Sequence, residues 1–174
     1  MEKILVVVDM QNDFIDGSLG TDEAVLIVDK VVEKIKNFDG DIYVTFDTHF
    51  DNYMETSEGK NLPVPHCIKG TKGWELNEKV KNILETKEHT KIEKLTFGST
   101  KLPEIIVQRY GETEKEIELI GLCTDICVVS NALILKASFK EDKISVDSSC
   151  CAGVTPESHK SAIETMKMCQ IEIK

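Results

Sequence analysis

The sequence predicts an α/β fold built on a parallel sheet, and three observations carry that prediction. Short β-branched runs alternate with segments of helical period along most of the 174 residues, the pattern of repeated βαβ units. The first run, Lys3-Ile-Leu-Val-Val-Val8, is apolar without alternation, as expected of a strand covered by helices on both faces. Two of the runs stop at an aspartate, Asp9 and Asp47, which puts charge where open parallel sheets hold ligands, beyond the carboxyl ends of the strands.

After the strand Lys3–Val8, a helix is expected over Asp22–Asn37. There Ala24, Ile27, Val28, Val31, Val32 and Ile35 recur at intervals of three and four, opposite Lys30, Glu33, Lys34 and Lys36, with Thr21 or Asp22 as N-cap. Asp41–Phe46 is the second strand. Thr48–Lys72 has two prolines, two glycines and no periodicity; it reads as a long loop, and loops of that length in compact domains are usually functional. A helix over Gly73–Leu84 leads to a third strand at Thr90–Glu93, and a helix over Pro103–Tyr110 to a fourth at Glu116–Ile120. Asp125–Phe139 is helical and Lys143–Val146 is a fifth strand. In the last helix, Pro156–Met168, Thr155 suits the N-cap and Pro156 the first turn, where its missing N–H costs nothing. Gln170–Ile173 is the candidate sixth strand. With no repeat or linker, the length corresponds to one domain over residues 1–174.

Composition narrows the partners. Apolar residues make up 41% and charged residues 30%, the balance of a globular chain rather than a disordered one. The formal net charge of −10 would repel phosphate backbones and anionic headgroups, so neither nucleic acid nor a membrane surface is expected as a partner. The longest apolar runs, such as Ile4–Val8, fall far short of a membrane span of roughly 20 residues. The start Met-Glu-Lys-Ile carries no apolar signal segment, so the six cysteines are expected reduced, in a cytoplasmic protein.

The strand ends hold the candidate chemistry. Gly121-Leu-Cys-Thr-Asp-Ile-Cys-Val128 runs from the fourth strand into a helix, which places Cys127 in the first turn, where the positive helix end favours a thiolate. Cys123, four residues earlier and without a second pair, makes a poor zinc motif and is assigned a backbone role. Asp9, partly desolvated behind an apolar strand, is a usable proton carrier, and Lys94 adds a cation at the third strand end. Together they form a nucleophile constellation. Each has a plainer alternative: a loop-capping aspartate, a solvated lysine and a small buried thiol. Asp47 and His49, two apart, can converge with His66 on a zinc, manganese or iron ion, or can simply bond loop backbone. His89 and His159 read as surface positions.

Asp9-Met-Gln-Asn-Asp-Phe14, Asp47-Thr-His49, Pro65-His-Cys-Ile-Lys-Gly-Thr-Lys-Gly-Trp-Glu-Leu76, Lys94 with Phe97-Gly-Ser, and Gly121–Val128 occur in an order that resembles the isochorismatase-like cysteine hydrolases, nicotinamidases above all. The resemblance extends to Asp147–Ala152 and Pro156-Glu-Ser-His159. It implies a three-layer Rossmann-like fold with a six-stranded parallel sheet flanked by helices, and a homo-oligomer. It also implies an Asp9–Lys94–Cys127 triad cleaving a small amide, nicotinamide first, through a thioester. A cis peptide at Leu122–Cys123 would aim the amides of Cys123 and Cys127 at the oxyanion, with Phe14 and Leu122 lining the substrate. Asp47, His49 and His66 correspond to ligands of a divalent metal, zinc first, with Glu58 as the fourth and Glu55 as its alternative. Pro63 stands where these enzymes usually carry a ring-stacking aromatic, so carbamoyl, maleamate and ureido amides are alternative substrates; Leu62, Trp74 or Phe97 would have to supply the apolar contact. A vinyl-ether hydrolase is the neighbouring reading, which needs no Cys127. A non-catalytic redox sensor using Cys150 and Cys151 is the reading from another class; Cys67, Cys150, Cys151 and Cys169 are otherwise expected as packing residues.

Overall fold

A computed structural model describes residues Met1–Lys174. Six strands, β1 (Glu2–Val8), β2 (Asp41–Asp47), β3 (His89–Lys94), β4 (Lys115–Leu122), β5 (Lys143–Ala152) and β6 (Glu172–Ile173), form one sheet in the order β3-β2-β1-β4-β5-β6. Every pairing is parallel, and the order is that of a doubly wound sheet. β1 lies at its centre. Ile4, Val6 and Val8 enter one core cluster, with Leu102, Ile106, Val128, Leu135 and Met166. Leu5 and Val7 enter the other, with Ile27, Val31, Ile35, Val80 and Leu84. Helices therefore cover both faces, the three-layer α/β arrangement that the unbroken apolar strand implied.

The helices are α1 (Asn12–Ile15), α2 (Asp22–Asn37), α3 (Ser57–Asn61), α4 (Glu78–Leu84), α5 (Lys101–Tyr110), α6 (Val129–Ser138) and α7 (Pro156–Met168). α2 and α7 have the expected bounds, because each has a side-chain cap. Thr21 accepts a hydrogen bond from Ala24 N, and Thr155 and Ser158 cap each other reciprocally. Removing that cap with Thr155→Ala should cost about 1 kcal/mol, read as a lower urea midpoint with an unchanged slope.

Other elements depart from the pattern for local reasons. The segment Thr48–Lys72 is not without structure: a 3₁₀ turn at Tyr53–Glu55 precedes α3, capped by Thr56. Helix α4 starts at Glu78, not Gly73, because Asn77 caps Lys79 N and Leu76 is drawn into an antiparallel bridge with Gln11. α5 begins two residues before Pro103, which falls in its first turn. The Asp125–Phe139 helix begins as a π-helical turn, Thr124–Val128, before α6. β5 runs past Val146 to Ala152, since the ladder with β4 slips between Leu119 and Gly121 and resumes at Cys151. β6 is only two residues long. No helix is long and apolar enough to cross a membrane.

Register brings the chemistry together. Val8 is opposite both Thr45 and Gly121, and Asp47 is opposite Lys94. The residues that follow β1, β2, β3 and β4 thus end side by side. Gly121 allows β4 to approach β1 closely: at φ 116°, a Cβ there would sit 2.1 Å from Val8 O.

Candidate active site

Asp9 leaves β1 fully buried and in left-handed backbone, φ 46°, a conformation costing a non-glycine residue about 1–3 kcal/mol unless its surroundings hold it. Thr45 on β2 holds it. Its carbonyl and its Oγ1 accept from Asp9 N at 3.2 and 3.3 Å, and its hydroxyl donates to Asp9 Oδ1 at 2.7 Å. Lys94 Nζ lies 2.6 Å from Asp9 Oδ2, 3.4 Å from Asp47 Oδ1 and 3.5 Å from Cys127 Sγ, and donates to Thr96 O at 3.1 Å. Burial raises the affinity of Asp9 for a proton, only partly offset by the Lys94 charge. For Lys94 burial acts the other way, yet Asp9, Cys127 and Asp47 keep it firmly protonated. The lysine is not solvated; its side chain is 1% exposed.

Cys127 corrects the sequence expectation of a thiolate favoured by a helix end. Burial, and after it the Asp9 charge, push its thiol well above the ordinary value, more than Lys94 can offset. The same burial that raises the thiol of Cys127 also raises the proton affinity of Asp9, so both neighbouring groups hold a proton more tightly than they would in water. The Leu122–Cys123 peptide is cis. Leu122 and Phe14 are both buried in the core cluster that includes α2, Phe14 with its ring centroid 5.5 Å from that of His66.

Beside this cluster, one ligand atom each from Asp47, His49, Glu58 and His66 gather within 4.8 Å of one another. Asp47 Oδ2 is 3.0 Å from His49 Nε2 and 3.4 Å from His66 Nε2; Glu58 Oε1 is 3.6 and 3.4 Å from the same two nitrogens. Four of the six separations, 3.0–3.6 Å, are those of neighbouring ligands on one divalent ion, and two imidazole nitrogens with two carboxylate oxygens are a donor set such an ion takes. His66 Nδ1 pairs with Val64 O at 2.8 Å, which leaves Nε2 free to coordinate. Asp47 is held well below the usual carboxylate range despite its burial, by His49, His66 and Lys94. Glu58 joins the cluster because Thr56 starts α3; Glu55, in the preceding turn, is exposed and outside it.

Several supports were not apparent in the sequence. Gln11, fully buried, accepts from Asp47 N and donates to Asp47 O, both at 2.8 Å, and donates to Trp74 O at 2.9 Å. Asp13 Oδ2 accepts from Cys67 N at 2.7 Å, anchoring the chain beside His66. Tyr53 packs edge-on against His49 and His66, with centroids 4.8 and 5.1 Å away, and donates to Leu62 O. Only the strand-end rule could have pointed to any of them, and only to Gln11.

The residues considered as substitutes for the missing aromatic lie elsewhere. Trp74 donates to Thr48 Oγ1 and packs on Phe46 and Lys91, while Leu62 and Phe97 are exposed. His89 is exposed, but His159 is not a free surface residue: it is half-buried and hydrogen-bonded to Thr124 Oγ1 at 2.8 Å. All six cysteines are free thiols, and Cys169 is exposed rather than packed. A cavity of about 420 Å³ at the opposite, amino end of the strands is lined by Lys3, Lys34, Glu116, Glu118 and Lys174. Its charges compensate one another, Lys34 and Lys174 both pairing with Glu118.

An isochorismatase-domain family model matches residues 3–173. A Bacillus subtilis protein, described as the uncharacterized isochorismatase family protein PncA, is 30% identical over 173 residues, covering 94% of this chain and 93% of that one. A crystal structure of nicotinamidase/pyrazinamidase PncA from Bacillus subtilis superposes with a TM-score of 0.86 over 99% of both chains at 27% identity. The pyrazinamidase of Pyrococcus horikoshii in complex with zinc superposes with a TM-score of 0.80 at 28% identity, over 100% of this chain and 99% of that one.

Proposed function

The chain belongs to the isochorismatase domain family, and on that premise we propose that it is a metal-assisted cysteine amidohydrolase acting on a small neutral amide, nicotinamide first. The observation that carries the reading is the convergence of Lys94 Nζ on Asp9, Cys127 and Asp47, which joins a buried thiol and carboxylate to the four-ligand cluster. The nicotinamidase and pyrazinamidase activities of the similar structures support the same class of chemistry.

The groups divide the work as follows. Asp9 takes the Cys127 proton as Sγ attacks the amide carbonyl carbon, and Lys94 balances the anionic charge that remains. The C–O π pair moves to oxygen, and the main-chain amides of Cys123 and Cys127 donate to that oxyanion. The C–N bond breaks, Asp9 returns the proton to the leaving nitrogen, and ammonia departs from a thioester. Asp9 then takes a proton from water, which attacks the thioester; the acid is released and Cys127 recovers its proton. Asp47, His49, Glu58 and His66 would hold a divalent ion, zinc first. When bound, that ion supplies a Lewis-acid point that orients a substrate lone pair, such as a ring nitrogen. Phe14 contributes an apolar wall. With Pro63 exposed and no second aromatic beside Phe14, smaller acyl amides are a second substrate group.

The test is ammonia release by zinc-loaded protein from nicotinamide and a panel of carbamoyl, maleamate and ureido amides. Nicotinamide turnover is expected. Silence across the whole panel would overturn the reading.

A further inference from the structure

We propose that Thr45 is a positioning residue for this chemistry, its hydroxyl setting the orientation of the Asp9 carboxyl that exchanges the proton with Cys127. The proposal rests on the amide hydrolase reading above and concerns a residue that sits outside both the triad and the ligand cluster.

Three contacts on one buried side make the argument. Thr45 is fully buried in β2, directly across from Val8, the residue before Asp9. Its hydroxyl has one proton to donate, and that proton is committed to Asp9 Oδ1 at 2.7 Å. Its oxygen and its carbonyl both receive Asp9 N. One residue thus braces the left-handed backbone of Asp9 and also occupies one of its two carboxylate oxygens.

The consequence falls on the other oxygen. Asp9 Oδ2 is buried and meets the Lys94 ammonium at 2.6 Å. With Oδ1 tied to Thr45, the carboxyl plane cannot rotate freely, and Oδ2 is held on the side of Lys94, whose Nζ also lies 3.5 Å from Cys127 Sγ. Without the hydroxyl, Oδ1 is a buried acceptor lacking a donor, and the carboxyl turns to satisfy it. Every productive proton exchange would then require the carboxyl to turn back.

The discriminating pair is Thr45→Val, which keeps the shape and removes the hydroxyl, against Thr45→Ser, which keeps the hydroxyl and removes a methyl. A residue needed only for packing predicts that valine is tolerated and serine impaired; a positioning hydroxyl predicts the reverse. For Thr45→Val we expect kcat to fall about 10- to 100-fold, the range for one hydrogen bond to a charged group, while KM changes less than about threefold. For Thr45→Ser, kcat should stay within about threefold of the unaltered protein even where its thermal midpoint drops.

Iodoacetamide alkylation of Cys127, followed by mass spectrometry of its peptide, gives a second readout that needs no substrate. Its rate should fall in Thr45→Val and recover in Thr45→Ser. If the unaltered protein hydrolyses no amide, the amidohydrolase reading fails, and the alkylation rates still decide the role of Thr45. Alkylation and turnover both unchanged in Thr45→Val, or Thr45→Ser as slow as Thr45→Val, would overturn the proposal. Should Thr45→Val fail to fold, Thr45→Ala, which also removes the hydroxyl, takes its place, with the same losses expected and the same recovery in Thr45→Ser.

Discussion

Cys127→Ala is expected to abolish ammonia release, by at least about 10⁴-fold, without loss of the fold or of zinc binding. Losses of that order are typical when a nucleophile is removed from a set of groups acting as a unit. The fold should tolerate the change because the thiol's polar contacts, with Lys94 at 3.5 Å and with the Asp9 carboxyl, are weak, and removal of a single buried sulfur leaves only a small void. Zinc content should stay near stoichiometric, since Cys127 is not among the four gathered ligand atoms. A second comparison makes the result specific. Asp9→Asn cannot accept the thiol proton, and the pair Asp9→Asn with Cys127→Ala should be no slower than Cys127→Ala alone. Mass spectrometry during turnover should find an acyl adduct, the amide minus ammonia, on Cys127. Turnover persisting in Cys127→Ala would point instead to the vinyl-ether type of chemistry, which needs no thiol.

The groups in this site differed in how legible they were, and the difference is physical. Asp9, Asp47 and Lys94 stand at strand ends, and strands declare themselves through β-branched runs, so the sheet and its ligand-bearing edge could be read together. Thr45 could not be separated from other strand residues. Its importance comes from the register that sets it beside Val8, and register belongs to pairing rather than to local pattern. Glu58 depended on a five-residue helix, too short to show a 3.6-residue period, started by the Thr56 cap. Gln11 and Asp13 looked like polar loop residues because nothing local reveals a partner 36 or 54 positions away. For Cys127 the position was legible and the direction of its pKa was not. Sequence proximity to a helix start suggested a lowered pKa, but burial and the neighbouring Asp9 charge dominate and raise it.

Stripping the metal, or removing one of its ligands, should have the second large effect, and it can be followed independently of catalysis. His66→Ala is expected to weaken zinc binding by more than about 100-fold, beyond the 10- to 100-fold typical of losing an outer-shell partner. The Nε2 atom of His66 stands 3.4 Å from both Asp47 and Glu58, so its loss leaves two carboxylates facing each other with one imidazole between them. Zinc at about 1,000 times its Kd should stabilise the unaltered protein by about 4 kcal/mol. For a chain of this size that corresponds to roughly 10 °C in thermal midpoint, and at the same zinc concentration the increment should fall to about a third or less in His66→Ala. Because coordinating groups must be deprotonated, the apparent affinity should rise with pH, and acid should release the ion. Trp74, the one tryptophan, donates to Thr48 between Asp47 and His49, so its emission should follow zinc titration. Glu58→Gln should lower zinc affinity and Glu55→Gln should not. The opposite ranking would place the fourth ligand in the turn before α3 and discard the cluster described above.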